Sequence, residues 1–146
     1  MGPVNINGNA DIQAGKINYA GNQHPHHQGV YMRVRLTSGT TVLLAGDTTY
    51  EGIPANVRTN GNAGYGCLQA CHHGGNYHYA PAGNQATAYI PRAAGGAVAV
   101  YSADGIYHGH PDAQVVGEHR QRGYLQQNEC QLQLGAAQGF NILNVT

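Results

Sequence analysis

The chain has 146 residues, 10% of them charged, and a formal net charge of zero. That length fits one domain with one modest core, and the sparse charge gives no basic surface able to grip nucleic-acid phosphates by itself. Three cysteines, an odd number, argue against a fully paired disulfide framework. No apolar run approaches the ~20 residues of a membrane span, and the opening MGPVNINGNADIQAG lacks the basic and apolar regions of a signal peptide. Glycine is abundant at 22 residues, Trp is absent, Phe occurs once and ten Tyr supply the aromatic bulk. The composition reads as a loop-rich, β-containing protein.

In chain order, residues 1–29 read as an irregular arm rich in Gly, Asn and His, with room for one short strand. VYMRVRL (30–36) alternates as a strand does, Ser38-Gly39-Thr40 is a turn, and TVLLA (41–45) is a second, more buried strand; together they predict a hairpin. Residues 50–58 predict a short helix with Pro54 in its first turn, and NGNAG (60–64) a loop. CLQAC (67–71) predicts a short strand, residues 84–94 a helix weakened by Pro91, and AVAVYS (97–102) a buried strand. Residues 112–122 predict a helix opened by Pro111, and 125–134 and 140–145 two closing strands. Strands and helices alternate through the middle. The expected class is α/β, a layered mixed sheet.

Three constellations lie just after predicted strands, where sites in layered sheets are built. Asp47 follows VLLAG, with Gly46 permitting a sharp exit; an Asp there is either a turn or capping residue or a metal ligand. His72 and His73 follow CLQAC and precede Gly74-Gly75. Neutral imidazole is the commonest metal-ligand side chain, and the competing reading is a polar loop. His108-Gly109-His110-Pro111-Asp112 has the His-x-His-x-Asp spacing that can gather two imidazoles and a carboxylate, or it is a helix-start loop. Cys67 and Cys71 could offer thiolates to zinc, but a spacing of four on a strand also puts both on one buried face, and Cys130 is a poor match for a second pair. His24, His26 and His27 read as a solvated loop, or alternatively as an extra ligand or substrate contact from the arm.

Taken in order, LLAGD (43–47), LQACHHGG (68–75), AVAVYS (97–102), YHGHP (107–111) and EHRQRGY (118–124) resemble the metallo-β-lactamase fold superfamily. The resemblance is closest to the hydrolase-like domain of ComEC-type competence proteins, with its order GD, HHG, GHP. It covers about residues 28 to 146. It implies that residues 30–146 form the C-terminal αβ half of a four-layer αββα sandwich, with helices on one face of the sheet. It implies that Asp47 binds or bridges metal, that His73, directly before Gly, is the histidine ligand with His72 its neighbour, and that His110 lies near substrate. Gly75 stands where the family usually has Ser. The superfamily's first motif, His-x-His-x-Asp-His, has no match before Asp47.

That absence shapes the functional expectation. Half a sandwich exposes an apolar sheet face that must be covered by a second chain, by a copy of itself or by a missing N-terminal half. The first expectation is a hydrolase dependent on zinc, or alternatively manganese, or half of such an enzyme, with Asp47 and His110 catalytic. Phosphodiester and nucleic-acid substrates are implied by the resemblance alone. The second is a degenerate or split module with a role in assembly or binding. A zinc module built on Cys67, Cys71 and the histidines is the third.

Overall fold

A computed structural model of the chain describes residues 4–6, 9–18, 28–47, 49–75, 86–102 and 109–126. They build one mixed sheet in sequence order: β1 (Val4–Ile6), β2 (Asn9–Asn18), β3 (Gln28–Arg35), β4 (Thr41–Leu44), β5 (Tyr65–Gln69), β6 (Ala93–Val100) and β7 (Leu125–Gln126). Pairing is antiparallel from β1 to β4 and parallel from β4 to β7. Parallel neighbours need crossovers. Helices α1 (Ala55–Thr59), α2 (Ala86–Tyr89) and α3 (Ala113–Gln121) lie within the three crossovers. The expected α/β class with a mixed sheet is what the chain adopts.

Several elements differ from expectation for local reasons. β2 is a ten-residue strand where the sequence allows only one short strand in an irregular arm. Its apolar residues are few, and its order comes from seven register pairs with β3. Within the described residues the helix expected over 84–94 runs Ala86–Tyr89, and Pro91 cannot continue it. β6 then starts at Ala93, earlier than expected, and absorbs Gly95-Gly96 as a bulge: Tyr65 pairs Ala93, yet Cys67 pairs Val98. Helix α3 begins after Pro111, with Asp112 as its cap: Gln114 N–H donates to Asp112 Oδ1 at 2.8 Å, a contact worth ~1 kcal/mol. β5 ends at Gln69, so Cys71 lies beyond the strand and the two cysteines do not share a strand face. Of the closing strands, only β7 falls within the described residues; Cys130, His108 and His24, His26 and His27 fall outside them.

Register partners share a face. Leu43, Leu68 and Ala99 are in register and fully buried. They join Val57 of α1, Val115 and Val116 of α3, and Tyr50, Tyr65 and Tyr124 in one core, so the helices cover this side of the sheet. Tyrosine serves as core bulk here, and two of its hydroxyls reach backbone carbonyls: Tyr65 donates to the Val57 carbonyl at 2.5 Å, and Tyr124 to the Pro91 and Arg92 carbonyls at 3.1 and 3.2 Å.

The opposite face is different. One cross-sheet row reads Ile12, Val34, Val42, Cys67, Val98, Leu125, all apolar across six strands. The next reads Ala14, Met32, Leu44, Gln69, Val100. At a spacing of about 4.8 Å, six strands span ~24 Å. The exposed large hydrophobic residues among the described part, Val30 (60%), Leu44 (39%) and Leu125 (60%), all belong to this face.

Candidate active site at the ends of the parallel strands

Asp47 follows β4, the Cys71–Gly74 turn follows β5, and Tyr101-Ser102 follows β6. Adjacent parallel strands thus deliver three loops to one edge. Gly46, at φ 59°, makes the exit from β4 as its sequence position suggests.

The turn after β5 is the most constrained backbone in the site. His72 (φ 45°, ψ 47°) and His73 (φ 57°, ψ 15°) are both left-handed, and Gly74 follows at φ 82°. For residues carrying a Cβ this conformation costs roughly 1–2 kcal/mol each. It persists only where the surroundings over-determine it, as they do at functional sites. Here four hydrogen bonds fix it: His72 N–H to the Gly46 carbonyl (2.9 Å), Gly75 N–H to the His72 carbonyl (2.8 Å), Asp112 N–H to the Gly74 carbonyl (2.9 Å) and Cys71 N–H to Tyr50 Oη (3.1 Å). Gly46 N–H also donates to Gln69 Oε1 at 3.3 Å, tying the Asp47 loop to β5.

The two histidines make different contacts. His73 Nε2 lies 3.2 Å from Asp47 Oδ1, and its Nδ1 lies 2.9 Å from Ser102 Oγ. His72 packs edge-on against His110, ring centres 5.5 Å apart. The predicted residues therefore gather as two neighbouring pairs, with the His72 and His73 rings 5.9 Å apart. Asp112, in the His-x-His-x-Asp spacing, is occupied as the α3 cap.

Two ligands at ~2.1 Å on a tetrahedral zinc lie about 3.4 Å apart, so Asp47 Oδ1 and His73 Nε2, at 3.2 Å, fit two of its corners. If Ser102 accepts the Nδ1–H, the Nε2 lone pair faces the carboxylate, an arrangement that favours a cation between them. If Ser102 donates, Nε2–H bonds Asp47 directly. Among the described residues no three His, Cys, Asp or Glu side chains converge to hold a metal. The cysteines do not extend the pair. Cys67 belongs to the back face, and Cys71 is fully buried, its thiol pushed up to about 12 by desolvation.

Behind the turn is a buried network that the sequence did not single out. His119 of α3 is 1% exposed. Its Nε2 lies 2.9 Å from Tyr50 Oη and its Nδ1 3.0 Å from Tyr101 Oη. Burial lowers its pKa to about 4, partly opposed by a hydrogen bond to the Val115 backbone, so the ring is neutral near pH 7. Tyr50 Oη accepts from Cys71 N–H, and each ring nitrogen of His119 pairs with one tyrosine hydroxyl. His119 thereby links the start of the His72-His73 turn to the residue before Ser102. The available signal was its place four residues after Val115, on the buried stripe of α3.

Glycine at 75 has a steric cause. A Cβ there would lie 2.6 Å from His110 Cε1 and 3.0 Å from His72 Cδ2. Its backbone is ordinary (φ −74°, ψ 150°), so the constraint is space alone. Gly75→Ser is expected to push the His110 ring off His72 and lower stability by about 1–2 kcal/mol. Urea unfolding and the His110 ring proton shifts check both effects.

No protein-family model, no curated protein and no solved structure matches the chain.

Proposed function

We propose that the chain is one αβ layer of a metal-dependent hydrolase of the metallo-β-lactamase kind. Asp47 and His73 supply part of a zinc or manganese site, and a second layer supplies the rest. The observation that carries this reading is the Asp47–His73 contact of 3.2 Å at the carboxyl ends of parallel strands, with Ser102 orienting the imidazole. The apolar back face supports the second layer, because a six-strand apolar row asks for cover. Sheet-on-sheet packing at ~10 Å is the natural cover for such a face. Its source is a second copy, another chain or a further segment of the parent protein.

A bound metal would lower the pKa of a coordinated water to about 7 and polarise the scissile bond. The chain's own residues have separate tasks. Ser102 holds the His73 ring, the tandem left-handed turn aims it at Asp47, and His110 beside His72 orients substrate or passes a proton to a leaving group. Phosphodiesters are the proposed substrate class, by family resemblance; a net charge of zero adds nothing for nucleic acid.

Two protein ligands bind zinc weakly, since catalytic sites use three plus water. Zinc or manganese titrated calorimetrically into the chain should therefore give weak, saturable binding, reduced at least tenfold by Asp47→Ala. No saturable binding of either metal would sink this reading. It would leave the second one, a split module acting in assembly, which is favoured by the lack of a three-ligand group among the described residues.

A further inference from the structure

We propose a second binding site, for a phosphate group, at the other end of the sheet from Asp47. A half-open cavity of about 500 Å³ is lined there by Gln13, Arg33, Arg35, Thr41, Asn60 and Gly61. Thr41 opens β4, whereas Asp47 follows its far end, so the cavity and the candidate metal pair are separated by the length of the strand. Register puts Gln13 beside Arg33, and Arg35 beside Thr41, on the helix side of the sheet. These residues form the floor, and the end of α1 with the turn after it forms the wall. Where the core next door is closed by Val57 and Leu43, this stretch of the same face is polar and concave.

The charges do not cancel. Arg35 pairs with Asp11 at 2.7 Å, while Arg33 is held by a neutral group, Asn60 Oδ1, at 3.3 Å. Among the described residues Arg33 makes no ion pair, so it lines the cavity half-buried and without a counter-charge of its own. The Cα atoms of alternate residues on a strand lie ~6.6 Å apart, so both arginine stems rise from one face of β3 beside the cavity. A phosphate has oxygens for the Arg33 fork and for the Gln13 or Asn60 amide, and one left for Arg35, whose Nε and Nη2 already bond Asp11 Oδ1. A carboxylate has two oxygens in one plane and serves one fork. The cavity is in the size range of small-molecule sites, so a phosphate monoester fits as well as free phosphate.

The test is calorimetric titration of the whole chain, with chelator present, using inorganic phosphate, glycerol 3-phosphate and acetate at matched ionic strength. Phosphate or the monoester should bind saturably, at least tenfold more weakly to Arg33→Gln and to an intermediate degree to Arg33→Lys, which keeps charge without the fork. Asp47→Ala should bind like the wild type; loss of binding there would put phosphate at the other end of the sheet and overturn the proposal. So would equal binding of acetate, wild-type affinity in Arg33→Gln, or no saturation up to roughly 10 mM. Tighter binding of the monoester than of free phosphate would identify an organic phosphate as the occupant, and equal affinities the free ion. Arg35→Gln is the second variant, should Arg33→Gln fail to fold.

Discussion

His119→Phe is expected to lower the unfolding free energy by about 2–4 kcal/mol. Phenylalanine is somewhat larger than histidine, so slight overpacking adds to a polar loss. The Tyr50 and Tyr101 hydroxyls lose their ring-nitrogen partners in a buried setting, at ~1–3 kcal/mol for each group left unsatisfied. The same substitution should change the pH dependence of stability. In the folded chain His119 titrates near pH 4, and in the unfolded chain near its ordinary value of ~6.5. Between those values the unfolded state binds the extra proton. Stability is therefore complete above about pH 6.5 and falls as pH drops toward 4, by ~3 kcal/mol from this group alone. Urea midpoints from pH 4 to 7 should show that fall in the wild type and a smaller one in His119→Phe. Equal slopes would mean that His119 already carries a proton in the fold.

The second large effect concerns the back face. Leu44→Asp should leave the fold intact, because Leu44 is already 39% exposed. It should weaken association through that face by about a hundredfold or more. The introduced carboxylate would lie between Met32 and Gln69, in the row beside Val42 and Cys67, and be buried there against an apolar partner without a counter-charge. Sedimentation equilibrium over a concentration series should show the wild type self-associating and Leu44→Asp monomeric. A wild type that stays monomeric and binds no hydrophobic dye would show that the face is covered within the chain, and the two-layer reading would fail.

The parallel half of the fold was legible because each strand there is a short apolar run ended by Gly or by polar residues, as in TVLLAGD. Asp47, His72, His73 and His110 do come to one end of the sheet, since the loops that carry them follow adjacent parallel strands. Position along the chain could not tell how the two histidines divide. That depends on two consecutive left-handed backbones, which are set by hydrogen bonds to Gly46 and Tyr50 and from Asp112 rather than by local propensity. β2 was hidden for a related reason. Gly15 looks like a strand breaker, yet it is required there because the Tyr31 ring lies directly across it. His119 stands among charged and polar residues in EHRQRG, and its place four residues after Val115 was the one sign that it is buried.

The two-sided apolarity of β4 bears on how the chain finds its alignment. In most half-buried strands a slip by one residue swaps oil for charge and is rejected at once. In TVLL it exchanges Leu43 for Val42 or Leu44, and the hydrophobic pattern barely objects. Alignment must then be enforced elsewhere. Tyr31 over Gly15 does so for the neighbouring β2–β3 pair, because a two-residue shift of β2 would bring Gln13 or Ile17 under the ring, where even a Cβ does not fit. The Tyr31–Gly15 pair would act as a keyed joint, and Gly15→Ala would be read out as misaligned, aggregation-prone chains more than as a simple loss of stability.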